Sequence, residues 1–179
     1  MSMEGMTYEI AENNVQSLID EESLIQSRML ESFGWSGYYP LDSIYKWIDG
    51  ILEEYPKLTS PIYAGKTYEE RDIRGVKISY KNDNPGIFIE GGIHAREWIS
   101  PSYIVPSVNP DGYVHTHTSD RLWRKTRKPY GAGCFGADRN FDFQFGKVGV
   151  SGHPCAETYS GPKAFSEVEM KSYSDYLAS

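Results

Sequence analysis

The stretch IFIEGGIHAREWIS, from Ile87 to Ser100, constrains this chain more than any other. A run of Ile87, Phe88 and Ile89 stops at Gly91 and Gly92, and His94, Arg96 and Glu97 follow within four residues. The apolar run reads as a buried strand. A buried strand that breaks into Gly-Gly and a polar loop is how open α/β sheets build their sites, because ligands sit beyond the carboxyl ends of the strands. The chain is therefore expected to be α/β, with chemistry placed just after Glu90.

The other elements fit that class. Residues 9–32 read as a helix with a patchy apolar face of Val15, Leu18, Ile19 and Ile25. FGWSGYY is a glycine- and aromatic-rich linker. PLDSIYKWIDGILEEYP is a firmer helix, since Pro40 precedes it, Ile44, Trp47, Ile48 and Ile51 share one face, and Pro56 ends it. DIRGVKISY and GIFIEGGI read as strands joined by the turn KNDNPG. VNPDGY reads as a turn. The last segment, SEVEMKSYSDYLAS, reads as a helix with Ser166 as N-cap and Glu169 closing a capping box. With 179 residues, 14 Tyr, 7 Phe and 4 Trp, the chain has enough apolar material for one folded domain. A net charge of −7 gives no general pull toward nucleic acid or an anionic membrane. No stretch approaches the length of a membrane-spanning helix, and the first residues show no basic and apolar regions of a signal peptide. The two cysteines, Cys134 and Cys155, are compatible with one disulfide or with two thiols.

His94 and Glu97 are three residues apart, close enough to hold one ion from a turn or a nascent helix. Imidazole nitrogen and carboxylate oxygen both suit a zinc ion, Zn2+. Arg96 between them can hold an anion. A solvated His–Glu pair at a helix start is the competing reading of this short motif. Arg121, Lys125 and Arg127 read as solvated or structural charges and Trp123 as core. His115, His117 and His153 read as surface or turn residues rather than ligands.

Five blocks follow one another along the chain: GGIHAREWIS, VNPDGY, RLWRKTR at 121–127, CFGADRNFDFQFG at 134–146 and CAETYSG at 155–161. Together they resemble the zinc metallocarboxypeptidases of the digestive carboxypeptidase A and B type. The segment before residue 36 resembles the tail of that family's activation peptide, in YEIAENNVQSLIDEE and QSR. The resemblance implies a mixed, mostly parallel sheet flanked by helices. It divides the chain into an activation-peptide remnant, 1–32, and a partial catalytic domain, 33–179. It also implies one zinc ion, peptide or protein C-termini as partners, a monomer, and a secreted protein. His94 and Glu97 match two of the family's three protein zinc ligands. Arg124 matches the residue that stabilises the tetrahedral oxyanion, and Arg96 an arginine of the peptide-binding groove. Arg139 matches the arginine that grips the substrate's terminal carboxylate. Asp138 corresponds to an acid that orients the zinc-bound histidine through its second nitrogen. Cys134 and Cys155 match the family's disulfide pair.

The chain also departs from that pattern. Only ISPSYIVPS separates HAREW from VNPDGY, so a helix that covers one face of the family's sheet is missing, and an uncovered apolar face is costly. CFGADRN is short, and the asparagine that precedes the carboxylate-binding arginine is absent or replaced by Asp138, which would repel a carboxylate. No residue matches the third zinc ligand, the catalytic glutamate, the capping tyrosine or the specificity pocket, so the fold is expected to be incomplete at its C-terminus. Two ligands fall short of the three that catalytic zinc sites use, and loss of a general base costs on the order of 10²–10⁴-fold in rate. The expectation is a carboxypeptidase chain without appreciable turnover, or a non-catalytic protein that binds peptide C-termini.

Overall fold

The structure is a computed structural model that describes residues 10–29, 33–34, 37–81, 85–98 and 105–179. The elements run α1 (Val15–Met29), α2 (Leu41–Glu54), β1 (Thr59–Lys66), β2 (Asp72–Ile78), α3 (Pro110–Thr118) and α4 (Val168–Leu177). Helix α2 forms where the sequence places it. Pro40 stands at the N-cap, and Leu41, Ile44 and Ile48 are buried along one face. Leu41 and Ile44 pack with Tyr39, Trp98 and Tyr113 into one of two apolar clusters.

Strand β2 follows the sequence reading, but its partner β1 was not expected. The two pair antiparallel, from Thr59 opposite Ile78 to Lys66 opposite Asp72, with a shift in register between Tyr63 and Gly65. Pro61 and Gly65 disguise β1, because proline and glycine weaken any strand signal. Inward residues of both strands, Ile62, Ala64, Ile73 and Val76, are buried. Met170 and Tyr173 of α4, with Val105 and Val108 of the segment before Pro110, complete the second cluster. Each such side chain contributes about 1.5–3 kcal/mol when fully buried.

Among the described residues the continuous ladder is this antiparallel pair, and parallel pairing is confined to the bridges Glu90–Val105 and Ser151–Tyr159. Beside the first bridge the chain runs parallel for several residues, through Val105 N to Ile89 O at 3.1 Å, Gly91 N to Val105 O at 2.9 Å and Asn109 N to Gly92 O at 3.0 Å. Apart from these bonds and the bridge at Glu90, the expected strand over GIFIEGGI does not form. Ile87 is 88 % exposed and Phe88 45 %, so this apolar run is not the buried strand its composition suggests.

Several local readings need correction. VNPDGY opens helix α3. Asn109 is its N-cap, accepting from Gly112 N, and Pro110 sits in the first turn, where its missing N–H costs nothing. The cap of α4 is Glu167 and carries no side-chain cap bond. The capping box does not form, because Ser166 Oγ accepts from Asn140 at 2.9 Å and Glu169 Oε1 accepts from Tyr68 N at 3.0 Å. Trp123 is only partly buried. His117 is half-buried in α3 and lies flat on Trp98 with ring centroids 4.1 Å apart. Lys125 is buried and donates to Pro154 O at 3.0 Å. Val15, Leu18 and Leu24 of α1 are exposed. The readings on residues 1–9, on 82–84 of KNDNPG and on 99–104 of ISPSYIVPS lie outside the described residues, as does the Ile25 side chain.

Cys134 and Cys155 are disulfide-bonded, with Cα atoms 4.7 Å apart. Closing a loop of that size stabilises by about 3 kcal/mol. Among the described residues no helix is long and apolar enough to cross a membrane.

Candidate metal site

Three segments meet where the Ile87–Glu90 run ends. The first turns sharply at Gly92, whose φ is +63° and whose added Cβ would lie 2.8 Å from Pro106 O. Any side chain there would be strained and would clash. The turn brings His94 and Ala95 beside the second segment, and Ala95 N donates to Arg124 O at 3.1 Å. Asn109 braces both, since its Nδ2 donates to Lys125 O at 3.1 Å while its Oδ1 caps α3. Gly112 lets α3 approach, because a Cβ there would stand 2.8 Å from both Ala95 Cβ and Lys125 O. The third segment docks through Thr126 N to Ala137 O at 3.1 Å and Asp138 N to Tyr159 O at 2.8 Å.

These braces put four side chains in mutual contact. His94 Nδ1 lies 3.2 Å from the Glu97 carboxylate, and His94 Nε2 lies 3.1 Å from Asp138 Oδ1. Arg124 spans all three. Its Nε donates to Asp138 Oδ1 at 2.7 Å and its Nη1 to Glu97 Oε1 at 2.9 Å, while its Nη2 stands 2.8 Å from His94 Nε2. The Asp138 side chain is fully buried, that of Arg124 is 13 % exposed and that of Glu97 48 %, so the cluster opens toward solvent at Glu97. Burial alone would raise the Asp138 pKa. The hydrogen bonds and positive charge of His94 and Arg124 outweigh burial and hold the carboxyl below its usual range. Arg139 Nη1 pairs with the second oxygen of Asp138 and donates to Gly149 O at 3.2 Å.

His94, Glu97, Arg124, Asp138 and Arg139 thus form one connected set. Arg96 stands outside it, against Leu122 O at 3.2 Å and Glu157 Oε2 at 3.4 Å. A neighbouring cavity is lined by Leu18, Ile19 and Glu22 of α1 together with Arg96, Arg121 and Leu122. Glu22 accepts from Arg121 Nε at 2.7 Å, Arg121 Nη1 donates to Arg96 O at 2.9 Å, and the guanidinium lies 3.6 Å from the Trp98 ring centroid. Sequence reasoning missed the Glu22–Arg121–Trp98 contact, which joins residues about a hundred positions apart and leaves no periodic trace.

Zinc bonds to imidazole nitrogen and carboxylate oxygen are about 2.0–2.2 Å long, so two corners of a zinc tetrahedron stand roughly 3.3–3.5 Å apart. The 3.2 Å between His94 Nδ1 and Glu97 fits one such edge, with Asp138 on the other ring nitrogen as an orienting acid. Among the described residues no group of three or more His, Cys, Asp or Glu side chains is arranged to hold a metal. The residues fit zinc as two of its ligands.

The sequence profile of the zinc carboxypeptidase family matches residues 44–103 and 102–179. The two matched pieces meet at residues 102–103. A zinc carboxypeptidase A 1 of Anopheles gambiae is 41 % identical over 200 positions, covering 95 % of this chain and 46 % of that protein. A carboxypeptidase A2 of Rattus norvegicus is 35 % identical over 215 positions, covering all of this chain and 52 % of its own length. Those 215 positions exceed the 179 residues here, so the relative has residues where this chain has a gap. A solved structure of thrombin-activatable fibrinolysis inhibitor superposes with a TM-score of 0.83 at 32 % identity, covering 97 % of this chain and 53 % of the other. The chain spans about half the length of the curated relatives it matches.

Proposed function

This chain belongs to the zinc carboxypeptidase family, and from that premise we propose that it carries the metal-binding and arginine-lined half of a site that releases C-terminal residues from peptides. The observation that carries the reading is the His94 Nδ1–Glu97 pair at 3.2 Å, with Asp138 3.1 Å from His94 Nε2. His94 and Glu97 would hold one zinc ion. When bound, that ion polarises the scissile carbonyl and acidifies a water. With the ion bound, Asp138, 3.1 Å from His94 Nε2, would accept from that nitrogen and leave Nδ1 to coordinate. Arg124 presents donors whose charge is permanent, which suits a developing oxyanion. Arg139 offers a planar fork for a terminal carboxylate, although its Nη1 is shared with Asp138. Arg96 lines the approach beside Glu157.

None of these groups suits general base catalysis. Arginine stays protonated, and Glu97 serves as a ligand. The 179-residue chain by itself is therefore expected to show no appreciable turnover, and to bind peptide C-termini without cleaving them. Secretion is supported by the Cys134–Cys155 bond, because such bonds persist in oxidising compartments. The reading of residues 1–32 as an activation-segment remnant, and of the protein as a zymogen, is supported by α1 lying on Arg121 through Glu22. The test is hydrolysis of a blocked C-terminal dipeptide at saturating zinc, beside His94→Ala. Zinc-dependent turnover that disappears in the variant would overturn the expectation of inactivity and require a base not identified here.

A further inference from the structure

Many of the positive side chains in this protein have a partner. Lys66 pairs with Asp72, Arg71 with Asp111, Arg121 with Glu22 and Lys171 with Asp175, while Lys125 and Lys128 donate to backbone carbonyls. Lys57, Lys77 and Lys81 differ. All three are exposed, and among the described residues none of their side chains has an ion pair or a hydrogen bond. They nonetheless meet, because they line one open cavity of about 360 Å³. It lies at the end of the β1–β2 hairpin away from the 67–71 turn. Lys57 precedes β1, Lys77 stands in β2 opposite Ser60, and Lys81 follows β2. Leu58, Thr59, Ser60 and Ser79 stand in the same wall.

The backbone acceptors around this cavity are already in use. Tyr55 O accepts from Leu58 N and Thr59 N, both at 3.0 Å, and from Thr59 Oγ1 at 2.8 Å. Leu58 O accepts from Ser79 N at 2.8 Å, and Lys81 O from Ser79 Oγ at 2.7 Å. Among the described residues no carboxylate lines the cavity. The wall therefore offers a surplus of donors and of positive charge, held at the end of a paired ladder. Like charges gathered in one cavity repel each other, and a cleft lined by one sign of charge concentrates ions of the other. Lysine acts as a point charge without the planar fork of arginine, which suits a phosphate or sulfate group better than bidentate recognition of a carboxylate. The volume lies within the roughly 300–1,000 Å³ of small-molecule sites. We propose that this cavity binds a small polyanion carrying two or more sulfate or phosphate groups, with Lys57, Lys77 and Lys81 as its contacts. The net charge of −7 opposes anions over the surface as a whole, so the attraction is local to these three lysines. The cavity shares no residue with the connected set around His94 and Arg124.

Isothermal titration calorimetry of the intact chain at low salt tests the proposal, with sucrose octasulfate as one probe and tripolyphosphate as the other. Binding at one site per chain is expected for at least one probe, and the preferred probe tells a sulfated source from a phosphorylated one. The combined variant Lys57→Ala, Lys77→Ala, Lys81→Ala is expected to bind roughly tenfold more weakly or worse. The control is Lys46→Ala, Lys147→Ala, Lys163→Ala, which changes the net charge equally. Those three lysines are also exposed and without a partner among the described residues, and their loss is expected to leave the affinity nearly unchanged. An equal loss in both combined variants would mean general charge attraction and overturns the site, as does a wild-type chain that binds neither probe. A second readout needs no variant. Backbone nitrogen–proton spectra of the wild-type chain are expected to shift at Leu58, Ser60 and Ser79 as the probe is added, and shifts centred elsewhere on the chain overturn the assignment to this cavity.

Discussion

Replacing Glu169 by Gln should make the protein more stable at alkaline pH and leave its stability in mild acid nearly unchanged. Glu169 lies in the first turn of α4 and is fully buried. Its Oε1 accepts from Tyr68 N at 3.0 Å, and its Oε2 has no hydrogen-bond partner among the described residues. Burial raises its pKa from 4.5 to about 7, opposed by the Tyr68 backbone bond and reinforced by the charges of Asp111 and Glu167. The sign follows from proton counting. Between the unfolded value and the folded one, the native state holds a proton that the unfolded chain has released, so stability falls as pH rises through that window. The shift is worth about 3 kcal/mol in full, present below pH 4.5 and lost by the time the pH has passed 7. A glutamine keeps the acceptor for Tyr68 N and cannot ionise. Urea unfolding under non-reducing conditions at pH 5, 6, 7 and 8 gives the stability difference between variant and wild type, in which all other titrations cancel. The difference should move in favour of the variant by about 3 kcal/mol across that range. A difference that stays constant with pH would mean that Glu169 is solvated or already ionised in the native protein, and the burial argument would be wrong.

Asp138→Ala removes the carboxylate that serves Arg124 Nε, Arg139 Nη1 and His94 Nε2 together, and should destabilise by about 3 kcal/mol at neutral pH. Because its folded pKa is depressed, that contribution is present above the ordinary carboxylate value near ~3.9 and is lost as pH falls further. A wild-type-to-variant gap as large at pH 3 as at pH 7 would contradict this assignment. Glu22→Gln should loosen α1 from Arg121 with little global effect, since a partly exposed pair is worth roughly 0.2–1 kcal/mol. Limited proteolysis between α1 and α2 should speed up by a few-fold, and an unchanged rate would show that the Glu22–Arg121 contact does not hold α1.

The sequence displayed its periodic elements and its chemistry, and hid whatever depends on a partner in space. Helix α2 was legible because Ile44 and Ile48 repeat on one face between two prolines. Strand β1 was not, because Pro61 and Gly65 interrupt it and its pairing with β2 decides its state. Asn109 followed by Pro110 carried a helix-start signal that was taken for a turn, since an N-cap and a turn residue look alike until the following residues are seen to coil. Ser166 and Glu169 have the spacing of a capping box, yet each found a stronger partner, Asn140 and Tyr68 N. At the site, His94 and Glu97 were legible as a pair from their spacing. Asp138 and Arg124, dozens of residues away, entered through the family resemblance and not through any local pattern. The bridge that Arg124 makes between His94 and Glu97 was invisible, because it is a choice among partners that only the folded arrangement offers.

The claim on which the rest depends is that His94 and Glu97 are ligands to one zinc ion. Equilibrium dialysis of the intact chain against zinc, with metal counted by atomic absorption, tests it most directly beside His94→Ala and Glu97→Ala. The expected result is about one zinc per wild-type chain, with binding lost or weakened by roughly tenfold or more in each variant. Wild-type stoichiometry and affinity retained in both variants would contradict the assignment and would locate any bound zinc elsewhere on the chain.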